Sequence, residues 1–242
     1  MSRRDDLDEI GAGPLSRGAS VVHWLLVITV LVVLTGGLPL ALVPFLTGDS
    51  ANVWLAALLA LPMGPALAAA MFTWRKFLTA RDQNPGRHFW RGYRLNLLDV
   101  LRWWAPTVAA LGIIGFSVAN VEAAGVPAAY GIALVVVAGA VSTWAVMTLT
   151  LSSHLSMRTR DVARLSLYYL AVRPLVTLGI VSLLVLAVGI VLFTSDWVLV
   201  MLSAVLALAV VTTTEPVVRD ATARFTGDPS AGTPADPAPD PT

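Results

Sequence analysis

The sequence predicts an all-α polytopic membrane bundle of six transmembrane helices with amphipathic elbows at the interface. Three observations carry this reading. Hydrophobic residues make up 57% of the 242 and charged residues only 13%, about half the charged fraction of an ordinary soluble domain. Crossing roughly 30 Å of hydrocarbon takes about 20 mostly apolar residues, and such stretches recur near 20–45, 52–74, 103–121, 127–153, 174–194 and 197–214, with no Asp, Glu, Lys or Arg inside them. The charges are gathered into the connections between those stretches, and they alternate in kind.

Three basic residues lie in the N-terminal tail (Arg3, Arg4, Arg17) and seven between the second and third spans (Arg75, Lys76, Arg81, Arg87, Arg91, Arg94, Arg102). Four lie between the fourth and fifth spans (Arg158, Arg160, Arg164, Arg173) and two after the last (Arg219, Arg224). The other connections, around Asp49, Glu122 and Asp196, hold neither Lys nor Arg. Because short loops rich in Lys and Arg stay in the cytoplasm, both termini and both long loops are expected there.

Taken in order, residues 1–19 form a polar tail. The apolar run that follows is longer than the core of a cleavable signal peptide, about 7–15 residues, so the first run reads as a retained span. Its outer half carries Thr35-Gly36-Gly37-Leu38-Pro39, and the second span is interrupted at Leu61-Pro62-Met63-Gly64-Pro65. Proline removes a backbone donor and clashes with the preceding turn, so both helices should kink or break. Unwound backbone in a membrane must be buried in protein or line a cavity. Pro39, Pro62, Gly64 and Pro65 are therefore candidate cavity-lining residues, alongside the plainer reading of packing kinks.

The first basic elbow follows. Trp90, Tyr93, Leu97, Leu101 and Trp104 recur at three- and four-residue intervals, one stripe of a helix, with Arg87, Arg91 and Arg94 largely off it. Aromatic rings on one face and guanidinium groups on the other suit the headgroup region. The elbow is expected to lie along the membrane surface, bending into the third span at Ala105-Pro106. Arg87, Arg91, Arg94, Trp90, Tyr93, Trp103 and Trp104 are thus candidate contacts for lipid headgroups or a partner, and Asp99 is expected to pair with Arg102. In the fourth span Thr143, Met147, Thr150 and His154 fall along one side. They predict either a hydrophilic groove, with Thr143 and Thr150 lining it, or hydroxyls bonded to their own helix. The second basic loop repeats the first in outline, Arg164-Leu165-Ser166-Leu167 standing where Arg94-Leu95-Asn96-Leu97 stands, so a duplicated two-helix unit is expected. Glu215-Pro216 should end the last helix near 215, leaving 216–242, rich in Pro, Ala and Asp, as a disordered tail.

No cofactor, metal or nucleic-acid partner is expected. There is no cysteine, so thiolate ligands and nucleophiles are excluded. His23, His88 and His154 lack matched ligands, and no metalloprotease, nucleophile-elbow or phosphate-loop motif occurs. The spans carry no acid or base of the kind that marks ion coupling. An enzyme is not expected.

Ala60-Leu61-Pro62-Met63-Gly64-Pro65-Ala66-Leu67-Ala68-Ala69-Ala70, then Phe89-Trp90-Arg91-Gly92-Tyr93-Arg94-Leu95-Asn96 and Trp103-Trp104, resemble the YesL-like family of bacterial integral membrane proteins. The likeness covers most of 20–215, and its specific part is about 60–104. The resemblance implies a multi-pass protein of the bacterial plasma membrane, associated with carbohydrate uptake or utilisation through a neighbouring transporter complex. It brings no catalytic or ligand residues. A non-catalytic accessory is the expectation it supports, with a small permease built on the breaks near Pro39 and Pro62 as the alternative.

Overall fold

The computed structural model describes residues 14–40, 42–43, 52–79, 84–154 and 159–225, and every regular element among them is helical. In order these are α1 (Pro14–Val32), continued by a π-helical turn (Val33–Gly37) and Leu38–Leu40, then α2 (Asn52–Ala60), α3 (Met63–Thr79), α4 (Pro85–Ala119), α5 (Ala128–His154), α6 (Thr159–Val172), α7 (Pro174–Phe193) and α8 (Asp196–Phe225). Among the described residues six stretches are long and apolar enough to cross a membrane, with α2 and α3 together forming one of them. The protein is a multi-pass α-helical membrane bundle.

Helix α3 is its centre, in contact with α1, α4, α5 and α8. Ala66, Ala68, Ala69 and Ala70 are completely buried, as are Thr73 and Trp74. An alanine run so enclosed has no free face because its small side chains let neighbouring backbones come close from every direction, the usual basis of helix association in membranes. Helix α7 is the opposite case. Only Val176 and Ile180 are buried on it, while Leu175, Leu178, Val185, Leu186, Val188 and Leu192 are exposed, so most of its circumference faces outward. Helix α1 divides cleanly by period. Trp24, Ile28 and Val32 turn inward, and Val22, Leu26, Val30, Leu34, Leu38 and Leu42 form an outward apolar stripe.

Two boundaries differ from expectation. The elbow expected to lie on the surface and bend at Ala105-Pro106 is the first half of α4, one helix of 35 residues with Pro106 inside it. At 1.5 Å per residue that helix is about 52 Å long, well beyond the hydrocarbon thickness. Pro106 is tolerated because its ring faces outward while Trp103, Thr107 and Val108, on either side of it, are buried. The last helix likewise does not stop at Glu215-Pro216. It continues to Phe225 with Pro216 inside, because Val217, Val218 and Ala221 bury a further apolar turn. Val217 and Ala221 pack with Met147, Leu151, Val162, Tyr169, Val176 and Ile180, so burial outweighs the one backbone bond that proline removes. Residues 226–242 of the expected tail lie outside the described residues.

Candidate functional site: sealed helix breaks and an arginine face

Both expected interruptions are present, and they meet. Around Val33–Gly37 the first span widens into a π-helical turn, in which the Leu38 N–H donates to the Val33 carbonyl, five residues back. Turns of this kind occur mostly as single insertions in α-helices, often at functional positions. In the second span the chain unwinds at Leu61 and Pro62 between α2 and α3. The Leu61 N–H falls back to the Leu58 carbonyl at 3.2 Å, the acceptor that Pro62 cannot serve.

The space between the breaks is filled by protein. A Cβ on Gly36 would lie 2.8 Å from the Ala66 Cβ, and one on Gly37 would lie 2.6 Å from the Val200 Cγ1. These glycines bring the π turn directly onto α3 and α8. Gly64 has the Trp104 indole laid on it, where a Cβ would come within 2.6 Å of the ring. The Trp104 Nε1–H donates to the Ala60 carbonyl at 3.3 Å, covering backbone exposed by the break. Gly64 and Pro65 are buried, and Pro39 and Pro62 are half-buried. The arrangement is that of non-helical backbone buried within protein.

The groove expected along Thr143, Met147 and Thr150 is a packed face. Met147 is fully buried, the Thr143 hydroxyl donates to the Gly139 carbonyl at 2.7 Å, and the Thr150 hydroxyl donates to Val146 at 2.9 Å and lies 3.8 Å from the Met71 sulfur. These hydroxyls are turned onto their own helix and its neighbour. The His154 side chain lies outside the described residues.

The residues expected at the headgroups separate into two groups. Arg87, Trp90, Arg91 and Arg94 are exposed on α4. Trp103 and Trp104 belong to the interior, Trp103 in contact with Trp104 and Trp144 at ring distances of 5.7 and 6.1 Å. Tyr93 is half-buried and stacked on Phe89 at 6.2 Å. The expected stripe through Trp90, Tyr93, Leu97, Leu101 and Trp104 is therefore displaced by about one residue. The buried face runs through Phe89, Gly92, Val100, Trp103 and Thr107, and Gly92 receives the Phe72 ring, with a Cβ there only 2.8 Å away. Asp99 pairs with Arg102 at 3.0 Å, as its spacing predicts.

Sequence reasoning passed over two features. Tryptophans tie helices together. Trp74 Nε1 donates to the Ala204 carbonyl at 2.9 Å, and Trp144 Nε1 to the Ala163 carbonyl at 3.1 Å. At the basic end the Tyr169 hydroxyl donates to Asp220 at 2.9 Å, and Arg173 lies 3.8 Å from the same carboxylate. That cluster joins α6, the start of α7 and the end of α8. Its signal was the spacing Val217, Val218, Ala221, which carries the helical period past Pro216. Among the described residues no group of three or more His, Cys, Asp and Glu is placed to hold a metal ion.

Residues 20–118 match the model of a family described as "Protein of unknown function, DUF624". No curated protein and no solved structure matches the chain. The matched stretch runs from α1 almost to the end of α4, so it holds both breaks, the tryptophan that covers one of them and the arginine face.

Proposed function

We propose that this protein is a non-catalytic accessory of carbohydrate uptake or utilisation, resident in a bacterial plasma membrane and docked through its helices to a sugar transporter complex. The observation that carries the accessory reading is the filled junction of the two breaks. A permease with its site near Pro39 and Pro62 needs room for solute where Gly36 meets Ala66 and Gly64 meets Trp104. The carbohydrate link is supported by the YesL-like resemblance of residues 60–104. The orientation, with both termini and the basic segments in the cytoplasm, is supported by the distribution of Lys and Arg.

Affinity purification of the tagged full-length protein from its native membrane should bring down a binding-protein-dependent sugar transporter, and deletion of its gene should slow uptake of that sugar. Normal uptake in the deletion strain defeats the accessory reading. Solute flux through vesicles containing the purified protein alone would establish the permease instead. Reporter fusions at Asp49, Glu122 and Asp196 should read outside, and those at Gln83, Arg160 and Asp228 inside. A reversed pair would overturn the orientation.

A further inference from the structure

The first half of α4 does not lie across the bundle. It runs beside α1 and α3, and the contacts between them form a ladder. At the basic end Trp24 stacks on His88 at 6.2 Å and meets Phe77 at 5.0 Å. Midway, Gly92 lies under the Phe72 ring. At the far rung Gly36 packs on Met63 and Ala66, and Gly64 on Trp104. Between the end rungs α1 advances from Trp24 to Gly36 while α4 runs from His88 to Trp104. Over that interval the outward stripe of α1 is wholly apolar, with Leu26, Val30 and Leu34 each more than half exposed.

At those same levels α4 presents Arg91 and Arg94 outward, interleaved with Leu95 at 62% and Leu98 at 68% exposure. Neither arginine has an ion-pair partner among the described residues. The nearby charges of Asp99 and Arg102 are already paired with each other. Exposed guanidinium groups at the level of an apolar stripe favour an anion brought to them, because charge near hydrocarbon is costly unless it is matched. The interleaved leucines require a molecule with a hydrocarbon part. An anionic phospholipid meets both needs at once.

We propose that the exposed face of α4 holds an anionic phospholipid, its phosphate drawn down to Arg91 and Arg94 and its acyl chains lying over Leu95 and Leu98. Trp90, which meets Tyr93 edge-on at 5.8 Å, bounds the site at the basic end. This inference is independent of the carbohydrate reading.

The test uses the full-length protein in mild detergent, with phosphatidylglycerol or phosphatidylcholine added and retained lipid counted by native mass spectrometry. The wild type should hold phosphatidylglycerol about thirtyfold better, since each of the two arginines near an anionic headgroup contributes on the order of 1 kcal/mol. The double variant Arg91→Gln/Arg94→Gln should lose that preference, and Arg91→Lys/Arg94→Lys should keep part of it, because charge remains without the bidentate fork. Arg160→Gln, an exposed change on α6, should keep all of it. Both α4 positions are exposed, so elution of each variant as a single monodisperse species checks the fold. Equal retention of the two lipids by the wild type overturns the site, as does displacement of the lipid by free inorganic phosphate. An unchanged preference in the glutamine variant likewise overturns it.

Discussion

The two basic segments, the first half of α4 and the whole of α6, read almost alike in sequence and are built differently. In α4 the basic turns and the apolar span are one helix, and Pro106 sits inside it. In α6 the basic turns end at Val172, and α7 starts afresh with Pro174 in its first turn and Arg173 as its non-helical cap. Proline has the same backbone chemistry in both places, so the difference must come from what surrounds it. Around Pro106 the inward residues Trp103, Thr107 and Val108 are buried on both sides, which holds the helix on one axis. At Pro174 the break has its own replacement for the lost donor. The Thr177 hydroxyl donates to the Leu170 carbonyl at 2.9 Å, the acceptor that a residue with an N–H at 174 would have bonded. The comparison teaches that a proline in a membrane helix marks a choice, and the packing on either side of it makes that choice. The two segments therefore differ in how the basic turns join the span that follows.

Five substitutions would break or sharpen this contrast. The largest effect is expected from Gly92→Leu, which drives a side chain into the Phe72 ring and lifts the first half of α4 off α3. Overpacking of this kind costs about 3 kcal/mol, read as a lower unfolding midpoint in micelles, and an unaffected midpoint would mean that α4 is not held along that seam. Next is Tyr169→Phe, which removes a bond to a carboxylate at the junction of α6, α7 and α8. A loss of about 2 kcal/mol is expected. If stability is retained while proteolysis near the end of α8 increases, the cluster is holding that helix end and contributes little to the bundle.

A smaller effect is expected from Thr177→Val, about 1 kcal/mol, because it leaves the Leu170 carbonyl uncovered at the break. Thr107→Val is its control. The Thr107 hydroxyl donates to the Trp103 carbonyl within a continuous helix, at 2.8 Å, and its removal should be nearly neutral. Equal losses in the two variants would refute the idea that Thr177 serves the break. Smallest is Pro106→Ala, which restores one backbone bond to a helix already continuous and should raise stability by about 0.5 kcal/mol. A loss there would show that the proline shapes α4.

Much of the fold was legible in the chain because bilayer physics is simple. A span needs length and freedom from charge, and both can be counted along the sequence, so the six stretches, the two interruptions and the Asp99–Arg102 pair were all readable. The rotation of a helix about its axis was not. The Trp90 to Trp104 stripe and the buried Phe89 to Thr107 stripe differ by about one position, and both satisfy a three-and-four repeat. Contacts across the helix interfaces distinguish them, among them the Phe72 ring over Gly92 and Trp103 against Trp144. Tryptophan favours the interfacial zone, which predicts Trp103 and Trp104 there, yet the Trp104 ring donates to a carbonyl at the helix break and Trp103 packs on Trp104 and Trp144 in the interior. The role of Asp220 was hidden because Pro216 looked like a stop, and its partners Tyr169 and Arg173 are some fifty residues away in the chain.

By itself, then, the sequence determined that the chain crosses a membrane as a helical bundle and which segments carry the cationic charge. These properties depend on local composition and on backbone hydrogen bonding, which each segment meets alone. Tertiary structure decided whether each proline breaks a helix or is absorbed by it. It also decided that the two interruptions close against one another, and that Arg91 and Arg94 fall on the exposed face of α4. Those outcomes depend on which side chains approach across helix interfaces, where a glycine under an indole or a threonine beside a bare carbonyl settles what the one-dimensional pattern leaves open.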